Sequence, residues 1–343
     1  MSTQTIALSP PRSANWIISG REDLTWFIGS SVASYVVLAL MAAGFPVTPL
    51  YLVWLFGIDG PHVLATATRT YFDNNERQRL GSLLWVVVPA MLVGPVMVAA
   101  GAGPLFYVLA TSWLHFHIAK QHFGFVMLYR HKNRERSDFL LDRWFLLVSL
   151  MLPYARLIIK GNTNLFALSW VRTFDSLLLT IYALGALAFV ARQLQKVMTG
   201  EPLNSPKLML FAVVVPLQWL AFGYAATTGT DGLIRAGIVL GLFHSFQYHR
   251  LMWFHNQNHY ADPKFGESAG LAATLARRFV YYFGAALALN LLLNLGAGSL
   301  PVFASYPALK AAPWGVAFTH YILDSKIWRV RGNKDLAAAL RMA

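Results

Sequence analysis

The chain has no cysteine. That removes disulfides, thiolate metal ligands and cysteine nucleophiles together, and it leaves the redox compartment unspecified. Charge is also scarce. Asp, Glu, Lys and Arg make up 13% of the 343 residues, about half the share of a soluble domain (roughly 25%). No Ser-His-Asp order, phosphate-binding glycine loop or dinucleotide fingerprint appears, so hydrolase and nucleotide-driven readings have no support.

What is abundant is apolar sequence, 56% of the chain. It comes in runs long enough to span a bilayer, which takes about 20 residues per helix. Runs bounded by charge, Gly or Pro cover residues 24–45, 47–68, 82–102, 104–129, 143–159, 174–195, 207–227, 232–254, 278–296 and 309–328. The expected fold is therefore all-α: a polytopic integral membrane helical bundle of about ten transmembrane helices. No repeat or interdomain linker divides it. Residues 1–23 read as a short N-terminal tail, 24–330 as one transmembrane domain and 331–343 as a C-terminal tail. The first twenty residues lack the apolar core of a signal peptide and read as disordered.

The formal net charge of +13 raises the question of a nucleic-acid partner, and its distribution answers it. Lys and Arg sit in short runs between apolar segments, such as Arg130 to Arg136 and Arg329 to Lys334. Membrane insertion produces that pattern by keeping basic loops on the cytoplasmic side. No separate polar domain presents a basic face, so no nucleic-acid partner is expected. With Arg12 and Arg21 in the cytoplasm and each run crossing once, most basic loops fall on one side. Arg69, Arg77 and Arg79 lie there, as do Lys132, Arg134 and Arg136, then Arg192, Lys196 and Lys207, then Lys264, Arg277 and Arg278. The other side has Arg156, Lys160 and Arg172 around one loop and Arg235 and Lys310 as near-isolated charges. Two opposite loops, Gly101–Gly103 and Ser299–Tyr306, have no basic residue in their centres. Both termini are expected in the cytoplasm, with the chain in the inner (plasma) membrane. The longest connection, Asn256 to Ala276, is placed to cap a site at that end.

Seven of the ten histidines fall inside these apolar runs. His62 lies in Gly60-Pro61-His62. His115, His117 and His122 share the segment from Trp113 to Gly124. His244 and His249 lie in Phe243 to His249, and His320 lies in Thr319 to Asp324. The clusters occupy runs two, four, eight and ten, which cross in the same direction. At 1.5 Å per residue they sit about 9–13 Å above the next Arg at the cytoplasmic end. Four parallel helices thus present imidazoles in one layer.

A single intramembrane histidine is more often a hydrogen-bonded packing residue. Seven at matched depth point to a metal site, because imidazole is the commonest metal ligand and ionisable groups in hydrocarbon are costly. Proton relay and haem ligation are the other uses of such a layer. At about 100° per residue, His115 and His122 share a helix face while His117 lies far round. The two HxxxxH pairs, His117 with His122 and His244 with His249, are about 140° apart. Both members bind one centre only off a helix end or across a π-bulge; two centres are the other solution. Asp324 lies four residues after His320 on the same face, the place for a carboxylate that orients a liganding ring. An ion pair with Lys326 or Arg329 is its alternative. Lys120 either neutralises a bound anion or snorkels. Gln121, Gln247 and Tyr248 are candidate donors behind the ligands, Asp59 either supports a ligand or joins helices, and His255 and His259 read as interface or loop residues.

At these clusters the chain resembles the bacterial Brp/Blh family of membrane β-carotene 15,15′-dioxygenases. Gly60-Pro61-His62 resembles its Pro-His motif and Gln121-His122-Phe123-Gly124 its His-Phe-Gly motif. Phe243-His244-Ser245 resembles its His-Ser motif, and Thr319-His320 to Asp324 its last motif. The third motif departs, with HxxxxH here in place of HxxxH. The resemblance covers about forty residues. It implies one non-haem iron (Fe2+) with His62, His122, His244 and His320 as core ligands. His115, His117 and His249 would then complete a second metal or an outer layer, giving one or two irons per chain. A second resemblance, through the HxxxxH spacing, is to di-iron membrane desaturases and hydroxylases, whose HxxHH boxes this chain lacks. The expected function is a membrane non-haem iron oxygenase acting with O2, and if needed an electron donor, on a lipid-soluble substrate such as a carotenoid or fatty acyl lipid. Catalytic roles fall to Lys120, Tyr248 and Asp324. The competing class is a proton or metal-ion transporter.

Overall fold

The computed structural model of the chain describes residues 15–297 and 305–342. Ten principal helices carry the fold: α1 (Gly20–Ala42), α2 (Val47–Arg69), α3 (Asn74–Ala99), α4 (Gly103–Lys132), α5 (Phe139–Gly161), α6 (Ser169–Thr199), α7 (Ser205–Ala225), α8 (Gly232–His259), α9 (Phe279–Leu295) and α10 (Pro313–Ile327). One lies over each of the ten apolar runs, and no strand occurs among the described residues. Six of them (α1, α2, α3, α5, α6 and α7) are long and apolar enough to cross a membrane. The apolar α9 is shorter. α4 and α8 carry most of the histidines and are more polar.

The surface is that of a protein made for apolar surroundings. Leu177, Leu184 and Leu187 on α6 are each more than half exposed (53%, 62% and 65%). A stripe of that kind is a liability in water and normal against lipid. Polar groups are instead turned inward or to the ends, and long helices satisfy their own backbone, as hydrocarbon requires.

Several of the connections meet at one end of the bundle. At one end, Asn15 before α1 bonds with Asn133 after α4, and Lys132 donates to the Arg341 carbonyl near the C-terminus. Lys196 near the end of α6 reaches Glu135 in the α4–α5 connection. Asn258 on α8 donates to the Ala339 carbonyl, and Tyr260 donates to Asp73 between α2 and α3. Six segments expected on one side therefore meet at one end. At the other end Tyr224 of α7 donates to Met41 of α1. The Ser299–Tyr306 loop lies largely outside the described residues.

Both tails are more ordered than the sequence suggests. Residues 1–14, with Arg12, lie outside the described set, but Ile17 is 1% exposed, and Ile17 and Ile18 donate their backbone N–H groups to buried Asp23. The C-terminal residues form a helix, Lys334–Ala339, with Leu336 and Ala339 buried. An Asn333 side chain caps it by accepting from the Leu336 N–H. The tail is thus docked rather than free.

Among the described residues three helices contain π segments: Asp23–Ile28 in α1, Leu55–Asp59 in α2 and Leu292–Ala297 running on from α9. The one in α2 has a readable cause. Pro61 has no N–H, so a carbonyl one turn back loses a donor; Asn290 of α9 donates to Phe56 (3.2 Å) and also to Leu55 (3.1 Å), which already accepts from the Gly60 N–H. Gly60 permits that approach, since a Cβ there would collide with the Asn290 amide. Gly315 does the same between α10 and α3, where a Cβ would overlap the Met91 backbone. Gly315→Ala is accordingly expected to push α3 from α10 and cost about 1–3 kcal/mol. Thermal unfolding in detergent checks it, with Gly237→Ala, whose Cβ meets nothing within 4 Å, as the control.

Candidate metal centre

Four imidazoles converge, one from each of α2, α4, α8 and α10. His62, His117, His244 and His320 each offer a ring nitrogen, and these atoms lie within 4.8 Å of one another. Their rings interlock edge to face. His62 is 4.6 Å from His244 and from His320 between ring centroids, and His117 is 5.1 Å and 4.9 Å from the same two. His62, His244 and His320 are at most 2% exposed; His117 is half-buried.

Most of the ring nitrogens lack protein partners. Nε2 of all four is buried without a hydrogen bond, and so is Nδ1 of His62 and His244. A neutral imidazole always carries one N–H donor and one acceptor, and leaving a buried donor unmade costs about 1–3 kcal/mol. Four such rings facing one another make poor packing but a good ligand set. Ligands about 2.1 Å from a shared centre lie at most about 4.2 Å apart, so the rings need only a small inward shift.

Residues behind the rings fix their orientation. Thr66, one turn after His62 on α2, has its hydroxyl 2.6 Å from Nδ1 of His320 and 3.1 Å from Oδ1 of Asp324. Tyr248 donates to the same carboxylate oxygen at 3.0 Å. Asp324 accepts, Thr66 donates to it and accepts the His320 Nδ1–H, and this tautomer leaves the His320 Nε2 lone pair facing the other rings. On the far side, Asp59 has a carboxylate oxygen 3.6 Å from Nδ1 of His62 and is held by the Ser245 hydroxyl at 3.0 Å. Gln121 of α4 donates to the His244 carbonyl at 2.9 Å, and Gln247 to the Phe27 carbonyl at 2.8 Å. Tyr248, Asp324 and Asp59 thus lie beside the four rings, one of the two places open to Asp324 and to Asp59. Thr66 was missed, although its four-residue offset from His62 puts it on the same helix face.

The remaining candidates lie elsewhere. The family motif nominates His122 on α4, but His117 joins the group instead. α4 is continuous α-helix with no π-bulge, so residues five apart, about 140° round, cannot face one centre. His122 packs on Phe243 with ring centroids 5.3 Å apart. His115 shares its face, bonds the Leu150 carbonyl at 2.8 Å and stacks on Tyr154. The same geometry governs α8: His244 joins, whereas His249 contacts Tyr282 (3.0 Å) and the Ile58 carbonyl (3.4 Å). Lys120 is exposed with its ammonium 4.9 Å over the Phe123 ring, and no polar contact joins it to the four rings. His255 is buried and stacked on His259 beyond the site.

Replacing Asp324 with Ala, or Thr66 with Val, is expected to weaken metal retention about 10–100-fold while leaving the rings in place. Competition with a chelator of graded strength measures it. Unchanged retention in both variants would detach them from the centre. Comparison of the chain with family models, with curated proteins and with solved structures finds no match in any of the three.

Proposed function

We propose that the chain is a membrane-embedded non-haem iron oxidoreductase that uses O2 on a lipid-soluble substrate. The observation that carries this is the meeting of His62, His117, His244 and His320, each with its Nε2 buried and unpartnered. With no thiolate in the chain, the donor set is nitrogen alone, which suits iron, copper and zinc and leaves tetrahedral sulfur chemistry aside. The resemblance to the membrane carotenoid dioxygenases selects iron among these. Iron held by imidazoles with open positions binds and activates O2.

The chain's own residues supply the rest. Thr66 and Asp324 hold His320 in one tautomer, and Asp59 orients His62. Tyr248 packs on His62 at 4.5 Å and closes the inner side of the centre. The half-buried His117 marks the open side. Its ring stacks on Tyr321 at 4.4 Å, Tyr321 touches Trp113, and Trp113 is 38% exposed on the outer face of α4. A lipid-soluble substrate has a lateral path there, between α4 and α10, without leaving apolar surroundings.

In this reading the bundle crosses the inner membrane ten times with both termini in the cytoplasm. Reporter fusions at the C-terminus and in the Gly101–Gly103 loop are expected to give opposite signals; like signals would remove one crossing. Function is tested by loading the protein with ferrous iron under anaerobic conditions and following O2 uptake on adding β-carotene or an unsaturated acyl lipid. Uptake with one of them supports the oxygenase. Absence of uptake, with ion flux in proteoliposomes that the His variants abolish, would make the chain a transporter.

A further inference from the structure

A second polar feature lies at the end where the basic segments gather. A cavity of about 710 Å³ opens there, between the α2–α3 turn, the end of α8 and the segment that follows α10. Its lining includes Arg69, Lys326, Arg329, Arg331 and Lys334. Three carboxylates also line it, and each is already engaged. Asp73 accepts from the Asn75 and Glu76 backbone and from Tyr260. Glu76 is paired with Arg79. Asp335 lies 3.8 Å from Lys264. By contrast Lys326, Arg329, Arg331 and Lys334 make no ion pair among the described residues.

Exposed cations at a cytoplasmic end are ordinary for a membrane protein, so they would carry little alone. Arg69 is different. It is 3% exposed, its guanidinium carbon sits 4.4 Å over the Trp328 ring, and its Nη2 donates to the Ile327 carbonyl at 2.9 Å. Nη1, however, is buried with no partner. The Trp328 ring and the Ile327 carbonyl hold this fork in place, and Arg69 is one of the residues that line the cavity. A buried charged donor without an acceptor is costly, and guanidinium is the side chain best matched to phosphate oxygens. Four unpaired cations round one such donor favour an anionic ligand.

We propose that this cavity is a phosphate-binding site, with Arg69 as its buried anchor and Lys326, Arg329, Arg331 and Lys334 as its rim. The phosphate belongs either to a free anion or to a lipid headgroup reaching in from the cytoplasmic leaflet. The site does not depend on the metal centre. It rests on Arg69 and the unpaired rim.

The test uses the full chain in zwitterionic detergent and, separately, in nanodiscs. Inorganic pyrophosphate is titrated calorimetrically and by thermal unfolding, with sodium chloride at matched ionic strength. In parallel, nanodiscs of phosphatidylcholine are compared with nanodiscs containing phosphatidic acid. Saturable binding of pyrophosphate identifies a free anion as sufficient. Stabilisation by phosphatidic acid alone identifies a lipid headgroup. Either result is expected to weaken at least tenfold in Lys326→Ala/Arg331→Ala/Lys334→Ala, whose exposed positions tolerate change. Arg69→Lys is expected to weaken it further than its charge alone explains. No response to either phosphate source, a response that chloride reproduces, or full binding in the triple variant overturns the proposal.

Discussion

Replacing His62, His117, His244 or His320 with Ala is expected to remove most of the bound iron from the purified protein. Each ring comes from a different helix, so none has a neighbour on its own helix to substitute for it. The loss is expected to exceed the 10–100-fold attributed to a hydrogen-bonding partner, because a ligand atom itself disappears. His122→Ala and His259→Ala are expected to keep near wild-type iron. The pair His117 and His122 is the sharpest comparison. The two sit five residues apart on one uninterrupted helix, where rotation alone separates them. Each variant must first be monodisperse in detergent, so that loss of fold is not read as loss of a ligand. Equal iron loss in His122→Ala would mean that α4 is rotated from the position found here.

Lys207→Ala is expected to be the most damaging change outside the metal centre. Lys207 is fully buried, and its ammonium lies 2.7 Å from Glu135 and 2.8 Å from Asp142. Arg130 also pairs with Asp142. Lys196 holds Glu135 at 3.0 Å and Asp138 at 2.6 Å, and Asn204 donates to Glu135 at 2.9 Å. Removing one cation leaves buried carboxylates short of a partner, a change that costs about 3–5 kcal/mol. Thermal unfolding should show a large drop. Glu201→Ala, at the 42% exposed rim of the same network, should shift the transition far less, since solvent screens an exposed pair. The network's pH dependence has a defined sign. Burial pushes Asp138 up, but the hydrogen bonds from Lys196 and Arg192 outweigh it and hold its pKa at about 2, against 3.8 when unperturbed. Glu135 is likewise held below its ordinary value, burial being outweighed by Lys207, Asn204 and Lys196. A carboxylate depressed in the folded state stabilises above its unfolded pKa and loses that contribution as pH falls through the folded one. Asp138's share is therefore complete at neutral pH and fades between about pH 4 and pH 2.

Much of this was legible in the residues. The positions of the ten helices follow from apolar runs and the charges between them, because nothing competes with a helix in a long apolar segment. The histidine layer was visible for the same reason: an ionisable group is conspicuous in hydrocarbon. Which member of each HxxxxH pair turns inward was not legible, since that depends on how α4 and α8 are rotated against their neighbours. Thr66 stayed hidden because Thr is unremarkable in an apolar helix until its hydroxyl meets His320. Lys196 and Lys207 read as cytoplasmic loop cations. They are buried because Glu135, Asp138 and Asp142 reach them from at least 58 residues away, a pairing that sequence spacing does not encode. Arg69 was read in the same way, and only the fold shows it stacked under Trp328 with a donor to spare.

Elemental analysis of the purified wild-type protein, with its optical spectrum, tests the central claim most directly. One iron per chain with no Soret band is the predicted result, after isolation or after loading with ferrous iron. The His62, His117, His244 and His320 variants should be the ones that lose it. A strong Soret band, or no metal retained after loading, would contradict the assignment of these four rings to a non-haem iron centre.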